Sequence, residues 1–316
     1  MNEKVAEIKE LYCSIFDSSD WFNAICENSS WNFVEIKNKN ETLARLPFLL
    51  EKKYGIFTKI SSPPLTPYVG PWIKKNSAEK ISTKLSFEFD ILTKLINELP
   101  KADIIELPLH HSFPFIHPFI WKEFTLIPRY TYILNCSKIT EDQLWKNYLS
   151  KTTRNIIKNS QLQLESVTCE DINSLYNIIS SNLIRKNVSN FINISLLKHI
   201  YSSLSQKQKC KILFAKDKAS SDFNAAVFLV WDEHSIYYLL GGANQEGRKM
   251  QSLSFLLWES LKFAIIENKN FDFEGSILKE VESFIRGFGG EPTVYYVARK
   301  LSKKAKFFYN LKSLVR

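Results

Sequence analysis

The alternation of apolar and polar positions is clearest between residues 161 and 299. QLQLESV (161–167) alternates with a period of two, as a strand with one buried face does. Ile172, Leu175, Tyr176, Ile179 and Leu183 follow at helical spacing, and Leu197, Ile200, Tyr201 and Leu204 form a second helical stripe. Three strand-like runs come next: KILFAK (211–216), NAAVFLVW (224–231) and SIYYLLGG (235–242). The turn-prone stretches Asp217 to Asp222 and Asp232 to His234 between them predict an antiparallel meander. Leu253 to Glu267 is apolar all round except for a narrow stripe of Ser252, Glu259 and Lys262, which predicts a helix packed deep against the sheet. FDFEGS (271–276) reads as a short buried strand. Ile277, Leu278, Val281, Phe284 and Ile285 read as one face of a helix, and TVYYVAR (293–299) as a last strand.

The earlier part of the chain shows WNFVEIK (31–37), ARLPFLLEKK (44–53) and YGIFTKIS (54–61) as strands, a long helix near Ala78 to Glu98, and DIIELPL (103–109) as another strand. A polar, turn-rich stretch from Asn135 to Asp142 divides the chain, placing one domain over 1–138 and a second over 139–316. The order in the second half is strand, two helices, three strands, helix, strand, helix, strand. It is the element order of the GNAT acyltransferase fold. The first half reads as a worn copy without a Gly-rich turn before its helix. The expected class is therefore α/β, in the α+β sense of a mixed sheet, with two tandem GNAT-like domains. The first would be degenerate and help build an acceptor site; the second would bind the acyl donor.

Composition narrows this picture. With 316 residues, 45% of them apolar and 14% aromatic, the chain can fill two sizeable cores in contact. The opening MNEKVAEIKELYCSIF is broken by charges, so secretion is not expected, and no run approaches the roughly 20 apolar residues that cross a bilayer. Five scattered cysteines, none in a C-x-x-C pair, fit a reducing cytoplasm and suggest neither disulfides nor a zinc site. A formal charge of +9 favours an anionic partner, although Lys, Asn and Ile richness typical of an AT-rich genome accounts for part of it.

Two longer runs carry a more specific resemblance. YYLLGGANQEGRKMQSLSFLLWESLKFAIIENKNFDFEGS and ESFIRGFGGEPTVYY resemble the C-terminal signature of Fem-type peptidyltransferases and their GNAT-like acyltransferase relatives. In those proteins a strand ending in Gly-Gly precedes a Trp-bearing helix, an Asp-Phe-x-Gly strand and a Phe-Lys/Arg-x-Gly-Phe-Gly-Gly turn. LSKTTRNIIKNSQ (149–161) is similar to the family's Ser-x-x-x-Arg-x-x-Ile-x-Lys helix, and SPPLTPYVGPW (62–72) with IPRYTYIL (127–134) to its first half. The resemblance covers most of the chain. It implies transfer of an acyl or aminoacyl group.

Several residues are candidates for that chemistry. Gly241, Gly242, Gly247 and Arg248 lie between a strand and a buried helix, where main-chain N–H groups and the helix dipole can hold phosphate. The resemblance puts a coenzyme A pyrophosphate there, with Leu240 at the strand end and Ser252 opening the helix, although N-Q-E-G-R-K-M departs from the family's usual turn. Asp272 and Glu274 alternate in FDFEGS and are the candidate catalytic carboxylates, since an attacking ammonium must first lose a proton. Equally, Asp272 can cap the loop that follows. Lys151, Arg154 and Lys158 share a helix face and can clamp a diphosphate or simply be solvated. Arg286 adjoins the Gly287–Gly290 turn. Tyr68 and Trp72 on a proline-stiffened loop are candidate acceptor contacts, and His110 or His111 a candidate acceptor base. The histidine spacing is not a zinc pattern, and no metal is expected. No G-x-S-x-G elbow supports a Ser-His-Asp triad.

The first functional expectation is N-acyl transfer from acyl-CoA, such as acetyl-CoA, to an amino group of a nucleotide-linked amino sugar or another anionic cell-envelope precursor. Coenzyme A acts there as co-substrate, with no permanently bound cofactor. The second is an aminoacyl-tRNA donor with a peptidoglycan precursor as acceptor, although no heptad-length arm for tRNA is present. The third is a catalytically silent binding protein. DNA is not an expected partner. The tail SKKAKFFYNLKSLVR suits either contact with anionic lipid or docking on its own domain.

Overall fold

The computed structural model describes residues 13–26, 31–113, 115–185, 192–275 and 279–314. Its elements begin with α1 (Ser19–Ile25), β1 (Trp31–Asn38), β2 (Glu41–Lys53), β3 (Phe57–Ser61), β4 (Trp72–Ile73), α2 (Ile81–Asn97), β5 (Ile104–Pro108), α3 (His117–Trp121) and β6 (Thr125–Leu134). They continue with α4 (Glu141–Gln143), α5 (Lys151–Gln163), β7 (Leu164–Thr168), α6 (Ile172–Arg185), α7 (Ile194–Ser205), β8 (Cys210–Asp217), β9 (Phe223–Trp231) and β10 (Ser235–Ala243). The last are α8 (Gln245–Lys249), α9 (Ser252–Ile266), β11 (Asn270–Asp272), α10 (Lys279–Arg286), β12 (Glu291–Leu301) and α11 (Lys303–Leu314).

These elements form two compact units, one of Met1–Arg129 with Val294–Arg316 and one of Tyr130–Thr293. The expected division at 138/139 is thus corrected twice. Residues 130–138 belong with the second unit, and residues 294–316 return to the first. The second correction has a plain cause: β12 pairs antiparallel with β5, Val297 opposite Pro108 through Leu301 opposite Ile104. Pairing across so long a stretch of chain leaves no mark in local periodicity.

In the first unit the strand order is β1-β2-β3-β5-β12, with β4 on β2. β3 and β5 are parallel, and α2 supplies the crossover that a parallel pair needs. Its buried stripe of Ile91, Leu92, Leu95 and Ile96 covers the sheet.

In the second unit the order is β6-β11-β10-β9-β8-β7. The expected meander is present as antiparallel pairs β8/β9 and β9/β10. α9 buries Phe255, Leu256, Leu257, Trp258, Leu261 and Ala264, and it packs on β8, β9 and β10. Complete burial of each large side chain contributes about 1.5–3 kcal/mol.

Three local readings change. Residues 161–163 complete α5, so the strand starts at Leu164; alternation over so few residues does not separate a helix end from a strand. FDFEGS is a strand only as far as Asp272, and Ser276, Ile277 and Leu278 lie outside the described residues. Beyond α4, Leu144–Tyr148 forms a π-helical turn that periodicity did not indicate.

Leu261 is fully buried beneath the sheet. Leu261→Ala is expected to lower unfolding free energy by about 2–5 kcal/mol, read from the shift of the urea midpoint.

Candidate functional site

The site begins with a ladder that stops early. β10 and β11 run parallel, with Ser235 opposite Asn270, Ile236 opposite Phe271 and Tyr237 opposite Asp272. β10 continues to Ala243, registered beyond Tyr237 only with β9 among the described residues. That outer pairing slips between Tyr238 and Leu240, the signature of a β-bulge at Leu239. One extra residue puts Tyr238 and Gly241 on the same face, where alternation would have put them on opposite faces. A Cβ on Gly241 would lie 2.2 Å from the Tyr238 hydroxyl oxygen, and one on Gly242 would lie 3.0 Å from Asn182 Nδ2. The two glycines therefore make room for polar side chains of this chain. Leu240 is half-buried between them and the bulge.

Beside this opening the two candidate carboxylates separate in role. Asp272 is fully buried, and its Oδ1 accepts from Thr131 Oγ1 and from the main-chain N–H of Glu274, the latter at 2.9 Å. It holds the loop in shape, which was one of its two expected roles. Glu274 lies beyond the strand with φ of 49°, a left-handed conformation strained for a residue with a side chain. The reason is next door: a Cβ on Gly275 would meet the Tyr130 carbonyl oxygen at 1.7 Å, so the chain turns sharply to bring a glycine against β6. Glu274 Oε1 is buried with no hydrogen-bond partner among the described residues. Desolvation first, and the nearby charge of Asp272 second, push its pKa well above the carboxylate range. Burial, then the charge of Glu274, pushes the Tyr238 hydroxyl up in turn. Thr131 and Tyr238 were not singled out in the sequence; only the position of Tyr238 ahead of Gly-Gly hinted at its place.

The turn after β10 uses its own polar groups. Asn244 caps α8 by accepting from Gly247 N–H at 2.8 Å, and Arg248 Nη1 donates to the Ala243 carbonyl at 2.9 Å. Gly247 is a glycine because a Cβ there would lie 2.1 Å from the Asn224 carbonyl oxygen. These two residues, expected to cradle a pyrophosphate, are engaged within the chain. Ser252 is fully buried, and its Oγ has no partner among the described residues.

A different cavity offers polar groups outward. It measures about 520 Å³ and is lined by Ser150, Thr152, Thr153, Ser254, Arg286 and Gly287, with the carboxylate of Glu280 also in its wall. The first turn of α5 and the first turn of α9 both contribute to it, so two positive helix ends border one space. Gly287 ties the wall together, its carbonyl accepting from Ser150 N–H at 3.0 Å. Arg286 is ion-paired to Glu282 at 2.9 Å and otherwise exposed. Lys151 is exposed at the start of α5. Arg154 is turned elsewhere: its Nη1 donates to the carbonyls of Trp145, Lys146 and Leu149, each at 3.1 Å, and so caps the π-helical turn. Lys158 lies 5.8 Å above the Trp145 ring. The basic face of α5 is thus largely employed in holding the preceding turn.

In the first unit, Tyr68 is completely buried and ringed by His110, His111 and Tyr295, with centroids 5.0–5.6 Å away. A phenol so enclosed has no face for a sugar, which corrects its expected role as an acceptor contact. His110 is also buried, with Nδ1 2.7 Å from Ser112 Oγ, whereas His111 is partly exposed. Trp72 lies on β4, opposite Arg45 of β2, half-buried.

This architecture has solved counterparts. The crystal structure of FemX aligns with a TM-score of 0.67 at 12% identity, over 94% of this chain and 95% of that one. The C-terminal domain of a putative lysylphosphatidylglycerol synthetase from Agrobacterium fabrum aligns with a TM-score of 0.58 at 9% identity, over 90% and 92%. A tandem GNAT protein from the clavulanic acid biosynthesis pathway aligns with a TM-score of 0.52 at 8% identity, over 86% and 83%. The chain has the tandem GNAT fold. At identities this low the likeness is one of fold, and no protein-family model and no curated protein sequence matches the chain.

Two outcomes follow. Between the ordinary glutamate range near about 4.3 and the raised value of Glu274, the folded chain keeps a proton that the unfolded chain has lost. Stability therefore falls as pH rises through that window. Glu274→Gln should melt with the parent in acid and above it at neutral and alkaline pH; parallel melting profiles would show a solvated carboxylate instead. Arg154→Met keeps the stem but removes the nitrogen that meets three carbonyls, and should cost about 1–3 kcal/mol in urea unfolding. Unchanged stability would return Arg154 to a ligand role.

Proposed function

We propose that the chain is an N-acyltransferase whose reacting carbonyl sits at the end of β10 that runs past β11, with Glu274 as the proton acceptor. The observation that carries this reading is Glu274 itself, a half-buried, strained residue whose Oε1 is buried without a hydrogen-bond partner among the described residues and whose pKa is raised, beside the end of β11. Such a group is costly to keep for structure alone, and a carboxyl with a raised pKa is suited to taking a proton near neutral pH. In the reaction a neutral amine forms a bond to the acyl carbon, and the carbonyl electrons move to oxygen. The amine proton passes to Glu274, and collapse of the adduct expels the carrier, a thiol in the case of coenzyme A, which takes up a proton. Main-chain N–H groups of the unladdered stretch after Tyr237 supply donors for the oxyanion.

The donor read first is acyl-CoA, with its phosphates in the hydroxyl-lined cavity at the starts of α5 and α9 instead of at the turn around Gly247. The acceptor read first is an amino group on a nucleotide-linked amino sugar or a comparable anionic envelope precursor. A second donor, aminoacyl-tRNA, is favoured by the same closed turn, because Gly247 N–H and Arg248 are already engaged. Its terminal phosphates would suit the same cavity.

Calorimetric titration with acetyl-CoA, and separately with an aminoacyl-tRNA, tests this on the parent, Thr152→Trp and Glu274→Gln. Thr152 is exposed on the cavity wall, so the tryptophan should obstruct the donor without disturbing the core. We expect one donor to bind, at least about tenfold more weakly in Thr152→Trp. Glu274→Gln should bind normally but lose about 10²–10⁴-fold in turnover. Failure of both donors to bind, or full turnover by Glu274→Gln, would overturn the reading.

A further inference from the structure

One end of the first unit gathers lysines and exposed apolar side chains that the transfer site does not use. By register, the end of β2, the starts of β3 and β5 and the end of β12 lie at the same edge of that unit's sheet. α11 docks there through Ala305, with Phe308 and Tyr309 against Phe57 and its neighbours. Its other side is left outward, with Phe307 68% and Leu311 47% exposed one turn apart. The β2–β3 turn adds Tyr54 at 50% and Ile56 at 54%, and the Tyr54 ring packs against Phe308 at 5.4 Å.

Charge surrounds this apolar tip. From Arg299 to Arg316 the chain carries seven basic residues and no acidic one. Lys303, Lys304 and Lys306 are exposed, and Lys52 projects from the same edge. Beside the start of α11 lies a cavity of about 340 Å³ lined by Lys101, Lys122 and Lys300 over Ile105, Phe124 and Leu301, with no carboxylate in its wall. Three acids of this edge are occupied. Asp103 accepts from Thr58 N–H and Ser302 Oγ, Glu106 pairs with Arg299 and Lys59, and Glu51 pairs with Lys59. Glu98 and Glu123, each flanked in sequence by residues of the cavity wall, are exposed to solvent beside it.

We propose that this end of the first unit docks on an anionic phospholipid surface, with Ile56, Phe307 and Leu311 entering the interface and the lysines meeting headgroup phosphates. The two properties together decide for a bilayer over a nucleic acid. Lysines serve either polyanion, but Ile56 and Leu311 can neither stack on a base nor bond a phosphate, while both gain by leaving water at a lipid interface. Among the described residues no helix is long and apolar enough to cross a membrane, so the contact is peripheral.

The test is cosedimentation of the full chain with vesicles of phosphatidylcholine alone and of phosphatidylcholine mixed with phosphatidylglycerol. We expect binding to the mixed vesicles only, weakened by salt. It should fall at least about tenfold in Ile56→Ser/Phe307→Ser/Leu311→Ser and also in Lys303→Gln/Lys304→Gln/Lys306→Gln. The altered positions are exposed, and melting curves check that both variants fold. No binding to the mixed vesicles would overturn the proposal. So would loss in the lysine variant alone, which marks charge adsorption, or tighter binding to a homopolymeric RNA that ignores the apolar variant. Donor titration of the same variants is independent of these outcomes.

Discussion

A parallel pair of strands whose ladder ends after three residues leaves the longer strand with main-chain groups unanswered on one side, and among the described residues β10 is in that position beyond Tyr237. Much of the second unit is arranged around this one shortage. β11 stops at Asp272 because the next residues turn to lay Gly275 against the Tyr130 carbonyl, and the turn is held by Asp272 through Thr131 and the Glu274 N–H. The bulge at Leu239 then swings Tyr238 over Gly241. A glutamate strained by the turn at Gly275, a tyrosine placed by the bulge and the stretch of β10 beyond β11 thus come together in one place. The carboxyl that results is difficult to ionise because the loop around it is already committed to shape.

The same unit shows how a basic helix can be built for rigidity. Arg154 collects three carbonyls at the end of a π-helical turn, a place where main-chain acceptors would otherwise go unmatched. Ser150 caps α5 and donates its N–H to Gly287, fastening the glycine-rich turn after α10 to the beginning of α5. The cavity beside them is bordered by elements that are each fixed by their neighbours, which is the condition for a preformed pocket. Its polarity comes from hydroxyls and helix ends more than from free cations.

What the sequence conveyed and what it withheld divide along physical lines. The meander β8 to β10, the buried α9 and the long α2 were legible because burial on one face imposes a repeat of two or 3.6 residues. The pairing of β12 with β5 was not, since nothing local records a partner some 190 residues away. Among site residues, Asp272 and Glu274 were found as a pair by alternation, but alternation presumes a strand, and the strand ends between them. Tyr68 was misjudged because a proline-stiffened loop reads as exposed, whereas three aromatic rings close over it. Gly247 looked like a phosphate turn. Glycine at such a turn is required equally by a close carbonyl, here that of Asn224.

The return of the chain to its first unit also bears on how the protein is made. During synthesis β5 emerges early, but β12, the strand that lies on it, is translated only after the entire second unit. The first unit must therefore wait with one sheet edge unpaired, and an exposed edge is where strands of other molecules can add. The second unit has no such delay, because the end of β6 and β7 to β11 follow one another within Tyr130–Thr293. β12 is thus the strand that completes, late in synthesis, a sheet whose other strands were made long before it.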